Sequence, residues 1–379
     1  MKLNNWILMA AMTMGLVACN NDDAPESTLP EGKGKTVTVT IKGNKVDSRA
    51  ANEGDAFTEN TKATLTSATI FFLTDAATTG TVCDYRELTV TESPQQLHNV
   101  NPAAKAAYVV GNINLSGKHF NTLADLLSLS ADLSGYTTLA SVPVTSGATA
   151  TALTEDEEIP HDATATDHTN DKMYTVAFTV NPILSRIEIG GTVRLTMSDG
   201  ADKFTFSSLK PTHVGLNKVA PSFTLAGAPS GTPLEAGDNA KGYPGDLTTA
   251  GSWMFDVLTP KEMITDATTA VDFSLPVHGY NLAAGSQPTV MLAFNSERAD
   301  DAVTIPPVPR AYLKIINFTD QATSANKKVL AAGKIYKIEN LTIKNGELTN
   351  LDNTVICVEA TVTVGNWGVE TITTPEYGK

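Results

Sequence analysis

The chain alternates. After residue 35, apolar and polar residues take turns over short runs, the signature of strands with one face buried and one face wet. Thr36-Val37-Thr38-Val39-Thr40-Ile41 sets Val37, Val39 and Ile41 on a single face. The same reading predicts strands over 64–73, 86–90, 106–113, 173–180, 186–197 and 203–209. It continues over 271–275, 289–294, 310–318, 334–344 and 354–364. Threonine recurs on the polar side of many of these runs, where a β-branched hydroxyl residue suits a solvated strand face. One short helix breaks the pattern. Asn121 or Thr122 can cap it, and Leu123, Leu126, Leu127 and Ser130 follow at helical spacing.

A dozen strands with turn residues between them predict an all-β chain built from β-sandwiches. The segment Gly227 to Pro233 and the loop Glu235 to Asp246 are rich in turn formers and place a domain boundary near residue 224. The predicted organisation is therefore a leader over 1–19, a tether and first strand over 20–49, a sandwich over 50–224 and a second over 225–379. Residues 145–170 form a long polar loop expected on the surface. No clean internal repeat is evident.

Composition narrows the function. The 379 residues carry a net charge of -14, and no cluster of Lys and Arg builds a basic face, which excludes nucleic acid as a partner. Of three cysteines, Cys83 and Cys357 are isolated and read as buried apolar residues. No nucleophile elbow, phosphate loop or dinucleotide fingerprint occurs. The acidic stretch Glu155 to Glu158, with His161, Asp162, Asp167, His168 and Asp171, has carboxylates and imidazoles but no metal-site spacing. It reads as solvated surface. The remaining histidines are scattered, and Trp253 and Trp367 read as packing residues. The sequence therefore predicts no enzyme activity, no catalytic residue, no metal and no cofactor.

The N-terminus carries a different signal. Lys2 precedes the apolar run Trp6 to Ala18, which is too short to span about 30 Å of hydrocarbon as a helix. It closes on Leu16-Val17-Ala18-Cys19. This is the pattern of a lipoprotein signal, with cleavage before Cys19 and lipid on its thiol, so the precursor is expected to be held to a membrane through lipid. Residues 20–34 then form a polar tether. Past the first strand, Val46 to Gly54 is polar and small, and Arg49 is its only arginine: a protease can take such a segment in extended form. At the other end, Thr361 to Thr374 alternates again, with Trp367 as a large anchor.

Taken in order, these pieces resemble the fimbrillin family, the shaft subunits of Bacteroides and Porphyromonas fimbriae. The resemblance runs through the lipobox, Thr36 to Lys42 with Ser48-Arg49-Ala50, Ala68 to Phe72, Tyr108 to Asn112 and Leu184 to Ile189. It continues through Lys203 to Phe206, Ala332 to Ile338 and Val362 to Val369. It implies two tandem transthyretin-like β-sandwich domains with one or two short helices. It further implies export as a lipoprotein, cutting by an Arg-specific protease between Arg49 and Ala50, and loss of the strand carrying Val37, Val39 and Ile41. The C-terminal segment of another copy, with Val362, Val364, Trp367, Val369 and Ile372 as candidate donor residues, would fill the groove and extend a filament. Partners implied are further copies, tip and anchor subunits, and an unidentified surface ligand. The apparent cut site and extended C-terminus favour a shaft subunit over an anchor. The competing readings are a monomeric surface glycan-binding lipoprotein and a tip or anchor subunit of the same fimbria.

Overall fold

A computed structural model describes residues 34–43, 63–138, 141–156, 172–196, 206–234, 255–258, 271–298, 310–327, 329–339, 341–344 and 358–366. Over these residues the chain is all-β. In chain order the first unit comprises β1 (Lys35–Gly43), β2 (Ala68–Leu73), β3 (Val82–Leu88), β4 (Gln95–Val100) and β5 (Ala106–Gly111). Helix α1 (Leu123–Ser128), β6 (Ser130–Asp132) and a 3-10 turn (Leu133–Gly135) follow, then β7 (Val144–Thr145), β8 (Thr151–Ala152), β9 (Thr154–Glu155) and β10 (Lys172–Pro182). The second part holds β11 (Leu184–Thr196), β12 (Phe206–Asn217), β13 (Ser222–Thr224), β14 (Pro229–Ser230), β15 (Phe255–Val257) and β16 (Val271–Ala283). It ends with β17 (Thr289–Arg298), β18 (Arg310–Asp320), β19 (Lys334–Glu339), β20 (Thr342–Lys344) and β21 (Val358–Asn366).

Two large sheets organise these strands. The first has the order β3-β2-β5-β7-β10-β1-β4, with β8 on β5 and β9 on β10. The second runs β15-β12-β17-β18-β21-β19-β11-β16, with β20 on β11. Their buried faces carry the alternate residues that the pattern singles out. Val37, Val39, Ile70, Phe72, Val109 and Val180 lie in the core of the first, and Ile187, Ile189, Leu292, Phe318 and Ile338 in that of the second. Thr122 caps α1 through a reciprocal pair: its hydroxyl accepts from the Asp125 amide at 3.1 Å, and the Asp125 carboxylate accepts from the Thr122 amide at 3.0 Å.

The chain crosses from one large sheet to the other at Ile183, between Pro182 of β10 and Leu184 of β11. The boundary expected near 224 follows a turn-rich segment instead. β11 and β12 precede that segment and belong to the second sheet. Asn181-Pro182 just ahead of the crossing is a turn-prone pair, but one such pair between two strands marks a bend without saying that the chain changes sheet. The segment near 224 does join the two parts, because β13 pairs with β6 in a three-stranded ribbon β14-β13-β6.

Several strand limits also differ from the pattern. β4, with sequence Gln-Gln-Leu-His-Asn-Val, is too polar to be read as a strand, yet it forms the sheet edge beside β1. Residues 64–67, expected in a strand, are instead tied to Asn112. Its side-chain oxygen accepts from the Thr66 amide at 2.8 Å, and its amide group donates to the carbonyls of Thr64 at 2.8 Å and Val142 at 2.9 Å.

Candidate strand-exchange site

β1 is an interior strand. Along one edge it runs parallel to β10, from Lys35 opposite Lys172 to Gly43 opposite Val180. Along the other it is antiparallel to β4, with Val37 opposite Leu97 and Val39 opposite Gln95. Val37 and Val39 are 0 % exposed and Ile41 is 2 % exposed. Lifting out β1 would therefore bare a cleft three side chains deep and two rows of backbone donors and acceptors.

The two ends of β1 are held by side chains that the alternation does not reveal. At the C-terminal end β4 has stopped, and Ser93 takes its place. The Ile41 amide donates to Ser93 Oγ at 3.0 Å, and Ser93 Oγ donates to the Ile41 carbonyl at 3.3 Å. At the N-terminal end the Lys35 ammonium donates to the Ala104 carbonyl at 2.5 Å and sits 4.5 Å from the centroid of the Tyr174 ring. The Lys172–Glu155 ion pair, at 2.8 Å, lies alongside. Burial lowers the Lys35 pKa from the usual lysine value, opposed by the charges of Cys83 and Glu155. Hydrogen bonding from Lys172 lowers the Glu155 pKa. Glu155 is thus engaged by lysine; the members of that acidic stretch from 157 to 171 lie outside the described residues.

β21 holds a matching place in the second sheet. It is parallel to β18, with Thr361 opposite Thr319 and Val362 opposite Asp320. It is antiparallel to β19, with Val362 opposite Ile338 and Val364 opposite Tyr336. Val362 and Val364 belong to a strand paired on two edges within its own chain, so donating them requires β21 to leave its sheet. Cys19, Arg49, Ala50, Trp367, Val369 and Ile372 lie outside the described residues.

One sequence signal went unread. Thr36-Val37-Thr38-Val39 in β1 and Thr361-Val362-Thr363-Val364 in β21 are the same four residues. Each tetrapeptide sits in a strand with one parallel and one antiparallel neighbour.

A cleft of about 300 Å³ at the junction of the two sheets is lined by Leu127, Thr145, Asn181, Pro182, Ile183 and Leu225, among others. Its lining supplies no acid or base. Among the described residues, no group of three or more His, Cys, Asp or Glu side chains could hold a metal ion.

No protein-family model and no curated protein matches the chain. Solved structures do. A candidate cell adhesion protein from Bacteroides eggerthii DSM 20697 matches with a TM-score of 0.51 at 15 % identity, over 90 % of this chain and 98 % of that one. A fimbrilin from Porphyromonas gingivalis W83 matches with a TM-score of 0.51 at 14 % identity, over 90 % and 99 %. The chain has the fimbrilin fold. The likeness spans both sheets, so the tandem arrangement of the fimbrilin fold is shared and not one sandwich alone.

Proposed function

We propose that this chain is a structural subunit of a surface fimbria, exported as a lipoprotein through Cys19 and held at the outer membrane until it is cut. An Arg-specific protease cleaves between Arg49 and Ala50, β1 departs with the lipid, and the C-terminal segment of another copy enters the vacated groove. Repetition gives an open head-to-tail filament that supports adhesion, with tip and anchor subunits at its ends.

One observation carries the reading most directly: the strand that precedes Arg49 is paired on both edges in the first sheet and buries Val37, Val39 and Ile41. Burying Val37, Val39 and Ile41 contributes roughly 1.5–3 kcal/mol each, before backbone hydrogen bonds are counted. A groove that has lost this strand has strong reason to accept a similar one. The likeness to a fimbrilin and an adhesion protein supports the same reading.

The test is proteolytic. Purified precursor treated with trace trypsin should yield a new N-terminus at Ala50 and ladders on gels run without boiling. The Arg49→Ala precursor should remain monomeric. Normal polymer growth from that variant would remove the proposed switch.

A further inference from the structure

The shared Thr-Val-Thr-Val defines a register between β1 and a β21 strand from a second copy. Entry in the direction of β1 keeps a parallel partner in β10 and an antiparallel one in β4, the kinds of neighbour β21 has in its own sheet. Val362 and Val364 then take the seats of Val37 and Val39, and Thr361 takes that of Thr36. The match fails on either side of the tetrapeptide. Ala360 falls where Lys35 sits, and Asn366 where Ile41 sits.

Resting on the strand-exchange reading above, we propose that Lys35 is a latch that distinguishes the built-in strand from the exchanging one. Its ammonium fills a cation seat formed by the Ala104 carbonyl and the face of Tyr174, and Ala360 of an incoming β21 leaves that seat empty. Burial by itself works against the ammonium, as the lowered Lys35 pKa records; the Ala104 carbonyl and the Tyr174 face act against that cost. Here Lys172 and Glu155 neutralise each other beside it. The built-in strand is also tethered at high effective concentration. Tether and latch together keep β21 of a second copy out until the cut releases the first of them, and the weaker fit of Ala360 makes exchange slow and directional.

The experiment uses the full chain cut at Arg49 with its β1 fragment still bound. Synthetic peptides are added as competitors, and displacement of the fragment is followed by gel filtration and intact mass. The peptides are residues 35–43, residues 358–366, and the latter with Ala360→Lys or Ala360→Met. The Ala360→Lys peptide should displace the fragment at about fivefold lower concentration than the unaltered 358–366 peptide. The Ala360→Met peptide should not, since it supplies the stem without the charge. In a Tyr174→Leu chain the advantage of Lys over Met should shrink to less than twofold. Equal displacement by the Ala, Met and Lys peptides overturns the latch while leaving strand exchange in place. Failure of every peptide, including 35–43, overturns strand exchange and the latch with it.

Discussion

Asn281 of β16 donates its side-chain amide to the carbonyl of Tyr136 at 2.6 Å, bridging the second sheet to the turn that follows α1 in the first unit. The same group donates to the Thr138 carbonyl at 2.8 Å, while its oxygen accepts from Arg186 Nη1 at 2.9 Å. Arg186 in turn donates to Glu188 at 2.7 Å. Asn281 is 4 % exposed. Truncating it removes the partner of two part-buried carbonyls and of the Arg186 Nη1, leaving the guanidinium only Glu188 among the described residues. Asn281→Ala should cost about 2–4 kcal/mol, read as a lower urea midpoint. Asn281→Leu should be no better, because the loss comes from polar groups left unpaired and not from volume.

Arg186 also explains a neighbour. A Cβ on Gly279, in the strand paired with β11, would collide with the Arg186 guanidinium. Gly279→Ala should cost about 1–3 kcal/mol, and Arg186→Ala should reduce that penalty in a double-mutant cycle. Additive losses would show that the guanidinium simply swings aside.

The motif Tyr108 to Asn112 makes a local version of the same argument. A Cβ at Gly111 would meet Val144 Cγ2 at 2.8 Å and the Ser67 carbonyl at 2.9 Å, so the strand comes too close to its neighbours for any side chain. Asn112 follows at φ 60°, a left-handed conformation that asparagine tolerates, and its amide ties down residues 64–67. Asn112→Ala should cost about 2–4 kcal/mol and speed proteolysis between residues 63 and 67, as seen by peptide mapping.

How much of this was legible in the sequence depends on what each residue reports. Alternation exposed β1 and its three buried residues, and Thr122 announced α1, because both signals are local. β4 was invisible: its side chains are polar, since it lies at the sheet edge, and only pairing makes it a strand. The passage between sheets at Ile183 was equally hidden, because the short gap between the runs 173–180 and 186–197 does not say that the chain changes sheet there. The long β12 was obscured by Pro211, which the strand absorbs at a register shift opposite Phe294. The seat of Lys35 required three elements distant in sequence to meet. The repeated Thr-Val-Thr-Val, by contrast, was open to reading and gains meaning only once β1 and β21 are seen to have the same kinds of neighbour.

A charge placed under β1 should act as an artificial release. Val39 is 0 % exposed and lies opposite Val176 of β10. In Val39→Asp an unpaired carboxylate would have to be buried, at a cost of several kcal/mol, and expelling the strand avoids that cost. The uncut Val39→Asp precursor should bind an added 35–43 peptide that the parent chain ignores, and trypsin should cut it faster after Arg49. The rate of appearance of the Ala50 N-terminus measures the second effect. Val39→Ile should leave both properties unchanged.

Alkaline stability should report on Cys83. Its thiol, beside the Phe72 carbonyl at 3.4 Å, is pushed up from 9.0 to about 11, chiefly by burial and further by the charge of Asp84. An acid with a raised pKa keeps its proton in the folded chain where the unfolded chain has lost it. The folded state therefore binds more protons between pH 9 and about 11, and stability falls as pH rises through that window. In a chain already carrying Cys19→Ser and Cys357→Ser, the urea midpoint should drop between pH 8 and 11, and Cys83→Ala should remove part of the drop. Cys83 should also react with a disulfide reagent at pH 8 tens of times more slowly when folded than in urea, since the thiolate is the attacking form. Equal rates in the two states would mean that the thiol, though near Asp84, is solvated after all, and that burial does not govern its proton.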